Sequence, residues 1–147
     1  MAMRVRFEQV DEKEKEQALI RAVEKTADIL NAMDLLENGS GGIQVTKDRS
    51  TYFCRLTQMY YIESVDKRTY IYTRGDCYEC RERLYELEEK LGPYFVRISK
   101  SMIVNLRKIQ NVSAEPGGRM VAVLLNAERA IISRSYVKEI KRRLGIQ

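Results

Sequence analysis

The feature that most constrains this fold is a series of short β-type segments separated by turn residues, which begins at residue 43. The segments are rich in β-branched and aromatic residues and cover 43–45, 52–56, 60–65 and 69–73. Turn sequences at 66–68 (Asp-Lys-Arg) and 74–76 (Arg-Gly-Asp) follow two of them. Connections this short leave no room for a crossover helix, so neighbouring strands must run antiparallel. The sequence therefore predicts an antiparallel sheet rather than βαβ units.

A helix over residues 81–91 interrupts this series of strands. Its leucines recur at helical spacing, at Leu84, Leu87 and Leu91. Gly92 suits a left-handed cap after the helix, and Pro93 prevents its continuation. Further strands are predicted over 94–98, 109–113, 120–125 and 130–132, and a final helix after Ser133 or Ser135 would bury Val137, Ile140 and Leu144. The predicted fold class is α+β, mostly antiparallel β, with a few helices.

The first 42 residues have a different pattern and are predicted to form a separate extension. Residues 4–10 alternate apolar and polar side chains, which predicts a short half-buried strand. Asp11 and Glu14 resemble a capping box, and a helix is predicted over 11–36. Its apolar stripe is Leu19, Val23, Ala27, Leu30 and Met33. The glycine-rich joint at 38–42 separates this extension, 1–42, from a main domain, 43–147. The stripe could pack on the main domain or pair with the same helix of a second copy.

Composition argues against several classes of function. The chain of 147 residues has no histidine, which removes the commonest general base and metal ligand. Cys77-x-x-Cys80 lacks a second cysteine pair to complete a zinc site, so we treat both as ordinary residues, with redox sensitivity left open. We expect no catalytic residues, no metal and no cofactor. No signal peptide or membrane span is visible, which predicts a cytoplasmic protein.

The charge pattern instead points to a polyanionic partner. Lys and Arg exceed Asp and Glu by 26 to 21, and cations concentrate over 134–143. Three polar, basic segments lie at strand ends, where they could contact phosphates and base edges along a duplex. The residues with suitable donors or charges are Lys67, Arg68 and Thr69 in the first segment, Ser99, Lys100, Ser101, Asn105 and Arg107 in the second, and Arg134 and Ser135 in the third. Residues 102–105 between them are interpreted as an apolar turn.

From about residue 43 to residue 145, the sequence resembles the LytTR (LytR/AlgR) family of DNA-binding domains. The ordered motifs are Tyr-Ile-Glu-Ser at 61–64, Tyr-Glu-Leu-Glu at 85–88, Phe-Val-Arg-Ile-Ser-Lys-Ser-Met-Ile-Val-Asn at 95–105 and Ile-Ser-Arg-Ser-Tyr-Val at 132–137. The resemblance implies an elongated, multi-sheet domain whose loops enter successive major grooves, usually as two copies on a repeated site. By this resemblance the DNA-reading loops are 67–69, 99–101 and 134–136. Many members carry a histidine where Ser99 stands here, so more of the expected base contact falls on Lys100.

Many family members also carry a phospho-acceptor receiver domain, and the 42 residues before the main domain are too short for one. The resemblance is therefore to the stand-alone, response-regulator-like members, which often work beside a small membrane protein. The resulting hypothesis is a sequence-specific regulator of transcription that binds double-stranded DNA as a homodimer, with no small-molecule substrate. Two alternatives remain at this point: a binder of RNA or single strands that uses its tyrosines, and an adaptor for an acidic protein.

Overall fold

The computed structural model describes residues 3–38 and 41–147. Its helices are α1 (Ala27–Asn38), α2 (Leu84–Lys90) and α3 (Arg134–Leu144). Its strands are β1 (Gly42–Lys47), β2 (Ser50–Arg55), β3 (Tyr61–Val65), β4 (Arg68–Tyr72), β5 (Cys77–Cys80), β6 (Phe95–Ser99), β7 (Met102–Asn105), β8 (Ile109–Ala114), β9 (Met120–Leu124) and β10 (Arg129–Ile132). The predicted α+β class with mostly antiparallel strands is confirmed.

The larger sheet has seven strands in the order β2-β1-β5-β4-β3-β7-β6, and its strand pairs are antiparallel. The β3–β4 hairpin closes through Asp66 and Lys67, whose φ angles of 51° and 66° are those of a type I′ turn. That turn twists with the strands and so keeps Ser64 opposite Thr69. The pairing of β3 with β7 then brings the hairpin β6–β7 alongside the hairpin β3–β4.

Two hydrophobic cores lie on opposite faces of this sheet. On one face α2 buries Leu84, Leu87 and Leu91 against strands that include β3 and β4, as its leucine spacing predicted. On the other face β6 and β7 pack against α3 and the three-stranded sheet β10-β9-β8. A leucine as completely buried as Leu87 contributes about 1.5–3 kcal/mol relative to an exposed one. The two cores fix the ends of β3, β4, β6 and β7 relative to the start of α3.

The predicted turn at 102–105 is wrong, because these residues form strand β7. Ile103 packs in one core and Val104 in the other, so both faces of β7 are covered. A strand covered on both faces shows a continuous apolar run without alternation, which hides it from a search for alternating patterns. Strand β5 was missed as well, because its four residues contain two cysteines and only one aromatic residue.

The N-terminal extension also differs from its prediction. Residues 4–10 form no strand, and the side chains of Val5 and Phe7 are 90% and 88% exposed. The helix begins at Ala27 rather than near residue 11, and the Thr26 hydroxyl accepts a hydrogen bond from the Ile29 amide at its first turn. Val23, which belonged to the predicted stripe, is fully exposed. A strand without a neighbour and a helix without a packing surface gain too little to offset their ordering entropy.

Candidate nucleic-acid interface

Two backbone hydrogen bonds bring parts of the three predicted basic segments, residues 67–68, 99–101 and 134–135, to one end of the molecule. The Ser64 amide donates to the Ser101 carbonyl at 2.8 Å, which joins the end of β3 to the β6–β7 turn. The Ser133 amide donates to the Ile98 carbonyl at 2.9 Å, which joins the start of α3 to the end of β6. We call this end the basic rim, defined as Lys67, Arg68, Arg81, Ser99, Lys100, Ser101, Arg119, Arg134 and Ser135.

The first part of the basic rim is the type I′ turn of the β3–β4 hairpin. The left-handed backbone at Lys67 directs its side chain away from the strands, and the residue is exposed. Arg68 follows at the start of β4, with its guanidinium 3.8 Å from the carboxylate of Glu79 on β5. An exposed ion pair at that distance contributes little, so Arg68 can exchange it for a phosphate at small cost.

The second part is the β6–β7 turn, which two side chains hold in shape. The Ser99 hydroxyl accepts a hydrogen bond from the Ser101 amide at 3.2 Å, closing the turn from within. Arg97 donates from Nη1 to the Lys100 carbonyl at 2.6 Å, and its Nε and Nη2 lie 2.8 and 2.6 Å from Glu88 on α2. The turn is therefore attached to α2 through Arg97, while the Lys100 side chain stays exposed.

The third part is the start of α3, where Arg134 is the first helical residue. Its side chain lies across Gly118, where an added β-carbon would come 2.7 Å from Arg134 Cδ. Gly118 also has a φ of 81°, so both space and backbone conformation favour glycine there. The Ser133 side chain does not cap the start of α3. The first amides of the helix are therefore directed towards the basic rim. Ser135 is exposed beside them.

Several cations of the basic rim lack a carboxylate partner. Within residues 3–38 and 41–147, Lys67, Lys100 and Arg134 form no ion pair. Farther along α3, Arg142 and Arg143 both pair with Glu139, at 2.6 and 3.1 Å. The basic run at 134–143 is therefore partly neutralised at its end, whereas Arg134 at its start keeps an unpaired charge at the basic rim.

Two predicted contacts are buried and are corrected by the structure. Thr69 is 3% exposed, since it lies inside β4 with its side chain away from solvent. Asn105 is also 3% exposed, and its Nδ2 donates to the Met59 carbonyl at 2.9 Å. Its Oδ1 accepts from the Arg107 amide at 3.1 Å. Because both ends of this amide are satisfied inside the protein, Asn105 stabilises the fold rather than facing a nucleic acid.

Arg107 is also unavailable, because α1 covers it. Its side chain is 11% exposed, and the guanidinium carbon lies 3.6 Å from the ring centroid of Tyr94. It donates to the Leu30 carbonyl and lies 3.6 Å from Asp34 and 3.8 Å from Glu37. Arg107 follows the end of β7 that is farthest from the basic rim. The prediction that it contacts DNA is therefore corrected: it attaches α1 to the β domain.

Sequence reasoning missed two cations of the basic rim, Arg81 and Arg119. Arg81 directly follows β5, whose Cys80 lies opposite Thr69 in the sheet. Arg119 precedes Met120, which pairs with Ile132 just before α3. Both are exposed. The turn at 116–118 was correctly predicted, but only the register of β9 against β10 shows which end of the molecule it occupies.

Three of the tyrosines that a binder of single strands could use are instead used in packing. The rings of Tyr61 and Tyr72 stack at 4.4 Å with an interplanar angle of 12°, so each covers a face of the other. Burial is the main cause that raises the pKa of Tyr72, to about 12. Tyr60 is buried. These rings do not present the open faces that stacking of single-stranded bases requires.

The cysteines form no cluster with other metal-ligating residues in the part of the chain that the structure describes. Cys54 and Cys80 are buried, and burial raises the pKa of the Cys54 thiol to about 11. Cys77 is exposed on β5. Among the described residues, no helix is both long and apolar enough to cross a membrane.

Comparison with known proteins agrees with this architecture. A solved structure from Bacillus cereus, the LytTr DNA-binding domain of a putative methyl-accepting/DNA response regulator, superposes with a TM-score of 0.70. It covers 74% of this chain and 100% of that domain at 24% identity, which supports the shared fold.

Sequence comparison extends the likeness to curated proteins. An uncharacterised HTH-type transcriptional regulator from Staphylococcus aureus strain bovine RF122 / ET3-1 is 35% identical over 99 residues, 67% of each chain. The corresponding regulator from strain NCTC 8325 / PS 47 is 34% identical over the same length. The family description "LytTr DNA-binding domain" matches residues 49–145, which include all residues of the basic rim. The chain belongs to the family of LytTr DNA-binding domains.

Proposed function

We propose that this protein is a transcriptional regulator that binds a specific double-stranded DNA sequence through the basic rim and has no catalytic step. The observation that carries the proposal is the convergence of three exposed basic turns on one end of the sheet, fixed by the hydrogen bonds Ser64–Ser101 and Ser133–Ile98. The family is defined by DNA binding, and the curated relatives are named as transcriptional regulators.

The spacing of these turns suits a duplex. The hairpins β3–β4 and β6–β7 are neighbours in the sheet order β4-β3-β7-β6, so their turns are about two strand spacings apart, roughly 10 Å. A major groove is about 12 Å wide, so one turn can enter it while the other contacts its edge. Lys100 and Arg134 can donate to guanine edges, and the serines and helix amides can donate to phosphates.

We further propose that two copies bind together, and that residues 1–42 help them to associate. The support is the apolar surface of the extension, where Val5, Phe7, Leu19 and Val23 are exposed in a single copy. Contiguous exposed apolar groups mark interaction surfaces, and Leu19 and Val23 border one cavity together with Ile29 and Met33. A regulatory membrane-protein partner for the same surface and a cytoplasmic location remain part of this proposal. Size-exclusion chromatography with light scattering, on the full chain and a variant lacking 1–26, tests it: an unchanged mass would exclude this segment from the dimer.

Selection of bound fragments from a random duplex pool tests the DNA-binding proposal directly. The selected duplex should bind at least 1,000-fold more tightly than unrelated duplex, about the lower limit for specific regulators, and its affinity should fall steeply with salt. Arg134→Ala should cost about 1–3 kcal/mol on the selected duplex and relax preference at one position. Arg129→Ala, an exposed arginine at the start of β10, is the matched control. Equal losses for both variants, or equal affinity for single strands, would refute base reading by the basic rim.

A further inference from the structure

A second cationic surface lies at the other end of the larger sheet, where it lines a concave cavity of about 470 Å³. The cavity is formed by β2, the turn between β4 and β5, and Lys108. The turn at 66–67 and the turn at 73–76 lie at opposite ends of β4, so this cavity faces away from the basic rim. Its volume falls within the range of about 300–1,000 Å³ that small-molecule sites occupy.

The walls of the cavity are aromatic. Tyr52 and Tyr78 contact each other with ring centroids 5.5 Å apart and planes tilted by 58°, and Tyr52 is 45% exposed. Tyr60, which is largely buried, also borders the cavity. Tilted rings of this kind accept another aromatic ring in offset or edge-to-face contact, which contributes about 0.5–1.5 kcal/mol beyond buried area.

Two cations share the same cavity without a carboxylate of their own. In the described residues, Arg74 and Lys108 form no ion pair, and the Lys108 ammonium lies 5.2 Å from the Tyr60 ring centroid. Burial is the main cause that lowers the pKa of Lys108; the charge of Asp34 opposes it, and the smaller effect of Arg74 adds to it. Two positive groups, one of them partly desolvated, stabilise an anion placed between them.

The acidic residue of the cavity does not cancel this charge. Asp76 lies 2.8 Å from the Lys47 ammonium, which neutralises it, and Lys47 in turn lies 5.6 Å from the Tyr78 ring centroid. Asp34 lies 3.6 Å from Arg107. Gln58 also lines the cavity, and its Oε1 accepts a hydrogen bond from the Arg55 amide, so its Nε2 group can donate to a ligand.

We propose that this cavity binds a small aromatic anion, with its negative group between Arg74 and Lys108 and its ring against Tyr52 and Tyr78. Charge and ring recognition are both required, since the cations select anions and the tyrosines select planar apolar groups. Such a site is separate from DNA binding, because the strands β3 and β4 lie between it and the basic rim. It would give the protein an effector site in addition to its DNA-reading turns.

Calorimetric titration of the full chain with phenyl phosphate tests the proposal, with inorganic phosphate and benzyl alcohol as probes that lack the ring or the charge. Phenyl phosphate should bind at least tenfold more tightly than either. Arg74→Met, an exposed position, and Lys108→Met should each weaken it about tenfold, which corresponds to about 1.4 kcal/mol. Lys67→Met at the basic rim is the matched control and should leave this binding unchanged.

Any one of the following outcomes would overturn the proposal. Inorganic phosphate that binds as tightly as phenyl phosphate would show an anion site without ring recognition. Unchanged affinity in Arg74→Met, or a loss equal to that in Lys67→Met, would place the ligand elsewhere. Displacement of phenyl phosphate by an unrelated duplex, together with weaker duplex binding by Arg74→Met, would assign these cations to DNA instead.

Discussion

Arg97 offers the sharpest test of how the fold positions the basic rim. Its guanidinium joins the Lys100 carbonyl at 2.6 Å to Glu88 on α2, and its side chain is 22% exposed. We expect Arg97→Met to keep the strand but to release the turn that carries Lys100. Arg97→Lys restores the charge without the planar group that contacts both partners at once, so it should rescue only part of the loss.

The expected magnitudes follow from these contacts. Hydrogen bonds to charged groups contribute about 1.5–3 kcal/mol when shielded, and the partial exposure of Arg97 and Glu88 reduces this to about 1–2 kcal/mol of folding stability. Fixing one residue of backbone costs about 1–2 kcal/mol, so a released turn must recover that cost when it binds DNA. The affinity for the selected duplex should therefore fall about tenfold, a free-energy loss of about 1.4 kcal/mol.

Urea denaturation measures the stability, and fluorescence anisotropy with labelled duplex at two salt concentrations measures the affinity. Glu88→Gln should reproduce the affinity loss of Arg97→Met without removing a positive charge from the protein. Arg129→Met, the matched control, removes the same charge from an exposed strand position and should change affinity little. Wild-type affinity in Arg97→Met, at reduced stability, would refute the positioning role. If Arg97→Met lost no more affinity than Arg129→Met, the loss would be explained by the removed positive charge alone.

Three further predictions concern buried groups. Asn105→Ala should destabilise the fold by about 1–3 kcal/mol in urea denaturation, because it leaves the buried Met59 carbonyl without its donor. Arg107→Met should expose residues 27–38 to limited proteolysis while affinity for the selected duplex stays unchanged, since Arg107 holds α1 away from the basic rim; reduced affinity would contradict this. With the pKa of Cys54 raised to about 11, iodoacetamide at pH 8 should alkylate the exposed Cys77 and leave Cys54 unmodified until unfolding, as mass spectrometry of the labelled peptides would show.

The sequence predicted the local elements where one face of a strand or helix meets a core. The leucines of α2 and the alternation of β6 are such cases, since each pattern records a single buried surface. Strand β7 was misassigned because two cores cover it, so its run of apolar residues carries no period. The prediction for the extension was wrong for a different reason. Residues 4–26 have a periodic apolar pattern, but in a single copy no other element packs against them.

The sequence indicated some exposed cations of the candidate site, but it did not indicate how they come together. Exposed basic turns can be recognised from local sequence, which is why Lys67, Lys100 and Arg134 were identified. Their convergence depends on the pairing of β3 with β7, which are about forty residues apart, and local patterns do not encode such pairs. Asn105 shows that exposure is equally hard to predict. A buried asparagine and an exposed one look the same in the sequence, and only the fold shows that Asn105 is buried.

The two ends of the larger sheet divide the molecule into surfaces that can act separately. The basic rim carries cations that are free to exchange water for phosphate, whereas at the far end Arg107 is already neutralised by acidic residues of α1. Strand β7 spans four residues between these ends, a distance of about 13 Å. That distance exceeds the Debye length of about 8 Å at physiological salt, so exposed charges at one end are largely screened from those at the other. A partner bound to the exposed side of α1 would therefore act on DNA binding mainly through the strands themselves or by bringing two basic rims together.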